Sequence, residues 1–475
     1  MPPVRNHLIL FIACTGVFVE ALDIAILNLA LPLIQDDLKV DPATIPWLQT
    51  VYVLLYGSFL VIGGKLADTL GRRQIFLSGI LLFLVASFGA GVSGSFWVLA
   101  VFRAVQGLAA ALVMPAALSL ITNTFTDPIA RGKAIGIFSG FAAIGSGSGL
   151  SVGGLIATWL GWQWVFFINV PILLVLLGLT IRFIPADRPD RSPSVPDLPT
   201  ALLLALTLLV LTYGVHALGD PNTPLGLLPV LVVLLAAGFL SIRYRLERHP
   251  HPLIHPSVLR PSAVRNGLGV TLLLGAVFTG YLLLISLLLQ QHLHFSAARA
   301  GLLLFPFSLL SAGVARWLIP SLLRRFSVLQ AGVLGMGLMA LGSLALLSAL
   351  PLDNPLPVLL LAAACIAGLG IAVCFTSLTV LVVSGVPAEH HGLASSLGTT
   401  AYFIGGGLGL SVLSLLIPSE GSGPTRLTGP VLSLLLFAGT GTCWLAVYQA
   451  RKAARTKAFA KPPASPRFLY RQGQD

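Results

Sequence analysis

Apolar segments of roughly 20 residues, each long enough to cross a lipid bilayer, recur along nearly the whole 475-residue chain. With 56% hydrophobic and 9% charged residues, the chain cannot clothe a water-facing surface, for which roughly 25% charged residues is usual. In hydrocarbon only helices and closed barrels satisfy their own backbone groups. Runs this long and this continuously apolar read as helices, so the expected fold is all-α, a polytopic membrane protein.

Breaks at Gly, Pro, Asn, Asp or charge delimit spans at 8–33, 45–65, 74–94, 97–122, 133–158, 162–184, 199–218, 225–243, 265–290, 300–323, 328–350, 356–384, 391–417 and 429–450. That makes fourteen. The runs 199–218 and 225–243, joined by the turn 219–224, are each long enough to cross and count separately. The first run is too long for a signal-peptide core and carries acidic residues, so it reads as a retained helix.

Lysine and arginine near the helix ends set orientation. Threading fourteen spans puts 24 of the 28 basic residues on the face shared by both termini. Lys39, Arg299 and Arg426 fall on the other, and Arg103 lies inside a helix. Both termini are therefore expected in the cytoplasm, with the protein in the plasma membrane and the 219–224 turn outside. Membrane insertion demands this asymmetry, so the net charge of +12 gives no support to a nucleic-acid partner.

The polar connections 185–198 and 244–264 divide the chain into an N-terminal six-helix bundle (1–184), linkers with two additional transmembrane helices (185–264) and a C-terminal six-helix bundle (265–450). A basic tail, 451–475, follows and is expected to be disordered. Cys14, Cys365, Cys374 and Cys443 all lie in apolar segments, none at metal-ligand spacing with another. No metal or other cofactor is expected. There is no G-x-x-x-x-G-K-[ST] phosphate loop, so uphill transport would have to draw on an ion gradient rather than on an enzymatic ATP step.

Few charges lie within the spans. Helix 1 carries Glu20 and Asp23, three residues apart and hence on one face; helix 4 carries Arg103. An ionised group at the bilayer centre costs at least about 2.5–3.5 kcal/mol, so such groups face a cavity and find partners. At 1.5 Å per residue, Glu20 lies ~18 Å and Asp23 ~23 Å along helix 1. In a core ~30 Å thick, Arg103 lies ~21 Å from the same face. The three are expected to meet, either for proton coupling or substrate binding, or as a static ion pair that only orders helices 1 and 4.

The segment Gly64-Lys65-Leu66-Ala67-Asp68-Thr69-Leu70-Gly71-Arg72-Arg73 reads as a short gating loop whose charges can latch onto a neighbouring helix end. In helix 5, Gly145, Gly149 and Gly153 repeat every four residues beside Gly154, a flat stripe where another backbone can approach closely, either between moving halves or as a static interface. Asn28, Tyr52, Tyr56, Gln106, Phe278, Tyr281 and Tyr402 are candidate cavity residues, set against a reading as ordinary packing.

These residues, in this order, resemble the major facilitator superfamily, and more closely its fourteen-span drug:proton antiporters. The helix-1 segment Leu22 to Pro32, the Trp47…Tyr52 pattern, the Gly64 to Arg73 loop and Arg103-Ala-Val-Gln-Gly107 carry the resemblance. So do the glycine stripe, Gly161-Trp-Gln-Trp164 and Phe167-Ile-Asn-Val-Pro171. Leu150 stands where the antiporter motif has proline, Gln163 where it has arginine, and Pro320 where the second-half loop would have an acid. Helices 9–14 carry no interior acid, so coupling would rest on helix 1.

The resemblance implies a monomeric proton-coupled carrier that exports lipophilic small molecules by alternating access. Export of one endogenous metabolite (an antibiotic, siderophore or amino acid) is the alternative within the same fold. A non-transporting membrane scaffold is the alternative outside it.

Overall fold

A computed structural model of the protein describes residues 3–41, 44–185, 197–217, 224, 226–248, 256–386, 391–417 and 427–460. Fourteen helices in it are long and apolar enough to span a membrane. They are α1 (Pro3–Leu38), α2 (Trp47–Leu70), α3 (Arg72–Gly91), α4 (Phe96–Thr124), α5 (Pro128–Trp159) and α6 (Trp164–Phe183). An inserted pair follows, α7 (Leu198–Ala217) and α8 (Leu227–Arg248). The second six are α9 (Ser262–His292), α10 (Ala297–Arg325), α11 (Val328–Ala349), α12 (Leu356–Val383), α13 (His391–Leu416) and α14 (Thr428–Ala460).

Local signals explain where several helices start. The Ser95 hydroxyl accepts from the Val98 amide, and the Asp127 carboxylate accepts from the Ala130 amide at 2.8 Å with Pro128 opening the helix. At α11, Ser327 and Gln330 form a reciprocal capping box.

Several helices run a few residues beyond their expected ends, and two of these boundaries are informative. The helix α2 runs on to Leu70, and only Gly71, with φ +106°, separates it from α3. The supposed loop is therefore nearly all helix, turned at one residue whose backbone suits glycine. At the other end, α14 continues to Ala460, ten residues past the expected end. Those residues are mostly Ala, Lys and Arg, strong helix formers with no Gly or Pro. The rest of the tail and the 219–224 turn, Pro224 apart, lie outside the described residues.

The helices gather into two six-helix bundles. In the first, α1 packs on α5, and α4 packs on both α2 and α3; in the second, α9 packs on α13, and α11 on α12 and α14. The bundles meet along two long seams, α2 with α13 and α5 with α10, and more lightly where α1 meets α9. Within the inserted pair, α7 lies against both α2 and α13. The outermost helix, α8, packs on α7 and leaves Val232, Val233, Phe239 and Leu240 exposed, the surface that lipid covers.

The face where α1 begins also receives Arg72, Arg73, Arg182, Arg245, Arg324 and Arg325 at helix ends, and is called the basic face below. Among the described residues, three cross-bundle hydrogen bonds lie in the opposite half. Ser286 Oγ donates to the Asn28 carbonyl at 2.9 Å, Ser151 Oγ donates to the Gly301 carbonyl at 2.9 Å, and the Ala298 amide donates to Thr158 Oγ1 at 3.0 Å.

Candidate functional site

Five helices of the first bundle converge on Asp23. From α1 its carboxylate accepts the Arg103 Nη1 proton at 2.6 Å on Oδ2, Asn169 Nδ2 at 2.8 Å on Oδ1 and Gln106 Nε2 at 3.2 Å on Oδ1. Arg103 and Gln106 come from adjacent turns of α4, and Asn169 from α6. Gln106 also donates to Ser87 Oγ of α3 at 2.9 Å and accepts from Arg103 Nη1 at 2.9 Å. Arg103 Nε reaches the Leu48 carbonyl of α2 at 3.3 Å, and its guanidinium stacks 4.2 Å from the Tyr52 ring centroid. Asp23, Arg103, Gln106, Ser87 and Asn169 are all fully buried.

Close approach of α4 to α2 makes this reach possible. Gly107 faces the backbone of Tyr52 so tightly that a Cβ there would collide with its carbonyl. The pairing of Asp23 with Arg103 follows the depth arithmetic of the sequence. Ser87 was not singled out there, and Asn169 appeared only within a motif, with nothing in the sequence to join either to Asp23.

Glu20 sits one turn earlier on α1, buried, beside Tyr56 at hydrogen-bonding distance and close enough to Asp23 for the two charges to interact. Among the described residues its Oε2 has no partner, nor do Arg103 Nη2, the Tyr52 hydroxyl, Gln49 Oε1 or Asn169 Oδ1. Buried polar atoms of this kind ordinarily find water or a ligand. The Tyr56 ring lies 4.2 Å from that of Phe403 on α13, across the seam between bundles. From there Phe403 meets Tyr402 at 5.3 Å and Tyr402 meets Phe375 of α12 at 5.5 Å. An acidic group on one bundle is thus joined to an aromatic row on the other.

The remaining candidates divide. Asn28 is buried in α1, its Nδ2 bonding back to the Ile24 carbonyl at 3.0 Å while its own carbonyl holds Ser286. Phe278 and Tyr281 pair with each other in α9 at 6.4 Å. In the segment Gly64 to Arg73, Gly64 faces Pro115, and the Asp68 side chain lies outside the described residues. Arg72 donates to Ser119 Oγ of α4 at 2.7 Å, and Arg73 donates to the Ile181 carbonyl near the C-terminal end of α6 at 2.9 Å. That second contact is the expected charge on a helix end, and it stays within the first bundle.

Of the two readings of the glycine stripe, most of its contacts fit the static one. Gly145, Gly149 and Gly153 face Phe18, Leu22, Ala25 and Ile26 of α1, inside one bundle rather than between moving halves. Only Gly154 looks across, onto the backbone of Ala297 in α10. Periodicity identifies a face of α5 without saying which neighbour meets it.

The match to known proteins is extensive. Residues 13–410 fit the family model described as Major Facilitator Superfamily. The "Tetracenomycin C resistance and export protein" of Streptomyces glaucescens is 34% identical over 419 residues, spanning 86% of this chain and 76% of that one. The puromycin resistance protein of Streptomyces alboniger is 34% identical over 401 residues, 83% of this chain and 78% of its own. Among solved structures, a peptide transporter in complex with sulfate superposes with a TM-score of 0.69 over 94% of this chain and 95% of that one. Its 18% identity speaks for the fold alone. The chain belongs to the Major Facilitator Superfamily.

Proposed function

We propose that the protein is a proton-coupled secondary transporter, not an enzyme, that exports lipophilic small molecules by alternating access. The observation that carries this reading is Asp23, a carboxylate with no exposure whose charge is held by Arg103 and two amides. Proton binding and arginine pairing are alternatives for one buried carboxylate. A cycle that loosens the arginine on one side of the membrane and restores it on the other moves a proton. Glu20, with its unpartnered oxygen and the aromatic row beyond Tyr56, is suited to a substrate with an apolar body and a positive or hydrogen-bonding group.

In this reading 1–184 and 265–450 are the rocking bundles, 185–264 carries the extra pair, and 451–475 is a cytoplasmic tail. The basic face is cytoplasmic, the protein sits in the plasma membrane, and it works as a monomer. Bonds between the bundles in the half away from the basic face fit a state closed to the outside.

Relatives named for resistance to or export of tetracenomycin C, puromycin and cephamycin favour a second reading, export of a single endogenous antibiotic. Reconstitution decides between the two. Proteoliposomes with an imposed pH gradient are expected to concentrate several unrelated dyes and drugs, whereas a dedicated exporter would move one. Absence of gradient-driven movement for every compound, including those three antibiotics, would remove the transporter reading.

A further inference from the structure

Asn169 differs from the other partners of Asp23 in what it leaves unused. Its Nδ2 donates to Asp23 Oδ1 at 2.8 Å, while its own Oδ1, fully buried, has no partner among the described residues. The regular part of α6 restarts at Asn169 after a break at Ile168, so the side chain leaves the helix at its first residue and reaches Asp23. Gln106 is fully committed. Its Nε2 donates to Asp23 Oδ1 at 3.2 Å and to Ser87 Oγ at 2.9 Å, and its Oε1 accepts from Arg103 Nη1 at 2.9 Å. Turning that amide over would aim an NH2 group at the guanidinium. Arg103 itself has donors only.

An ionised carboxylate only accepts hydrogen bonds, and the three side-chain bonds to Asp23 are all donated to it. Protonation adds an O–H that needs an acceptor, and a buried O–H without one costs stability. The titratable and charged groups around Asp23 are Arg103 from α4, Glu20 one turn away on α1 and the Tyr52 hydroxyl from α2. From α3 and α6 come the uncharged Ser87 and Asn169. Of the three side chains bonded to the carboxylate, Asn169 alone keeps an acceptor in reserve. Half a turn about its terminal torsion, a soft two-fold rotation, exchanges Oδ1 with Nδ2 at nearly unchanged shape. No other bond is given up, because Oδ1 holds none to lose.

We propose that Asn169 is a two-way positioning residue for the proton on Asp23: its amide donates to the ionised carboxylate and, turned over, accepts from the protonated one. The proton then sits on Asp23 Oδ1 and is donated to Asn169 Oδ1. The same Asp23 oxygen still accepts from Gln106, and the neutral carboxyl holds Arg103 less strongly through Oδ2. Neither protonation state leaves the carboxyl group with an unmet bond. This rests on Asp23 being the coupling acid of the transporter reading, and it gives α6 a part in the exchange.

Infrared difference spectra between high and low pH, taken on the purified protein in detergent, test this without transport. Protonation of Asp23 is expected to raise a carboxylic C=O band that is missing in Asp23→Asn. An asparagine C=O band should shift to lower frequency with it, as the Asn169 carbonyl gains a bond. Isotope-labelled asparagine identifies that band in the unsubstituted protein, so the test does not depend on a variant that folds. In Asn169→Leu, which keeps the branched shape, the asparagine shift should vanish and the carboxylic band should move to higher frequency. A carboxylic band that rises with no change in the asparagine bands, or that keeps its frequency in Asn169→Leu, overturns the role of Asn169. The acceptor is then Glu20, the Tyr52 hydroxyl or water, and the coupling reading stands. Absence of an Asp23 band at every pH at which the protein stays folded removes Asp23 as the coupling acid, and the role of Asn169 with it.

Discussion

Arg103 on α4 and Asp23 on α1, 80 positions apart in sequence, meet at 2.6 Å with neither side chain exposed. Two ions taken out of water lose several kcal/mol each in hydration, and only good geometry with further hydrogen bonds recovers it. The site supplies both: amides from Gln106 and Asn169 for the carboxylate, and the Leu48 carbonyl and the Tyr52 ring for the guanidinium. One Arg103 amino group, Nη2, stays without a partner among the described residues. The pair is well held on one side and incomplete on the other, which suits the change of partners proposed for it.

Replacing Asp23 by asparagine tests the coupling role. An amide can keep a hydrogen bond to Arg103 but cannot exchange a proton. Asp23→Asn is expected to insert and fold, to bind substrate, and to lose accumulation against a gradient. The measurement is uptake into proteoliposomes acidified on one side. Undiminished concentrative uptake would make Asp23 a structural partner and leave Glu20 as the proton carrier.

Removing the cation should do more damage to the fold than removing the anion's charge. Arg103→Ala leaves a buried carboxylate with two amides and no positive partner, a situation that costs about 3–5 kcal/mol. The variant is expected to melt well below the parent in detergent. Adding Asp23→Asn to it should recover most of the loss, because the unpaired charge then disappears. Two losses that simply add would show that the two side chains do not depend on each other.

The sequence displays the spans because a 30 Å core requires long apolar runs, and it displays the Asp23–Arg103 pairing because helix rise converts residue number into depth. Glu20 and Tyr56 were legible as residue types, but not their joining to Phe403 on α13, which depends on how helices from opposite ends of the chain are set together. The stripe Gly145, Gly149, Gly153 was legible as a flat face and not as a contact with α1. The helical 451–460 segment was hidden by its charge, which reads as a solvated tail when only hydropathy is weighed.

Contact of the glycine stripe with α1 has a steric consequence. A Cβ on Gly149 would lie 2.7 Å from the Ala25 Cβ and 2.8 Å from the Leu22 carbonyl, whereas one on Gly140 meets nothing within 4 Å. Gly149→Ala is expected to destabilise the first bundle by about 1–3 kcal/mol through overpacking. Gly140→Ala should be neutral or slightly stabilising, since alanine is the better helix former. Thermal denaturation of the two variants in the same detergent checks the difference. Equal behaviour would mean that α5 does not press on α1 at Gly149.

Among the described residues, Glu20 differs from Asp23 in having no cation in hydrogen-bonding contact, only the Tyr56 hydroxyl, and in keeping Oε2 without a partner. A cationic substrate brings its own positive charge to such a group, and the aromatic rings of Tyr56 and Phe403 offer it an apolar and π-rich wall. Glu20→Gln preserves shape and hydrogen bonding while removing the charge. Its effect is therefore expected to depend on the substrate. For lipophilic cations KM should rise, roughly tenfold for each 1.4 kcal/mol of attraction lost; for neutral compounds of similar size it should hardly change. Tyr56→Phe, which removes the hydroxyl and keeps the ring, should leave cation recognition largely in place. Parallel transport assays with a cationic and a neutral dye read the difference directly. If both dyes lose transport to the same extent in Glu20→Gln, with KM unchanged, Glu20 serves the proton and not the substrate.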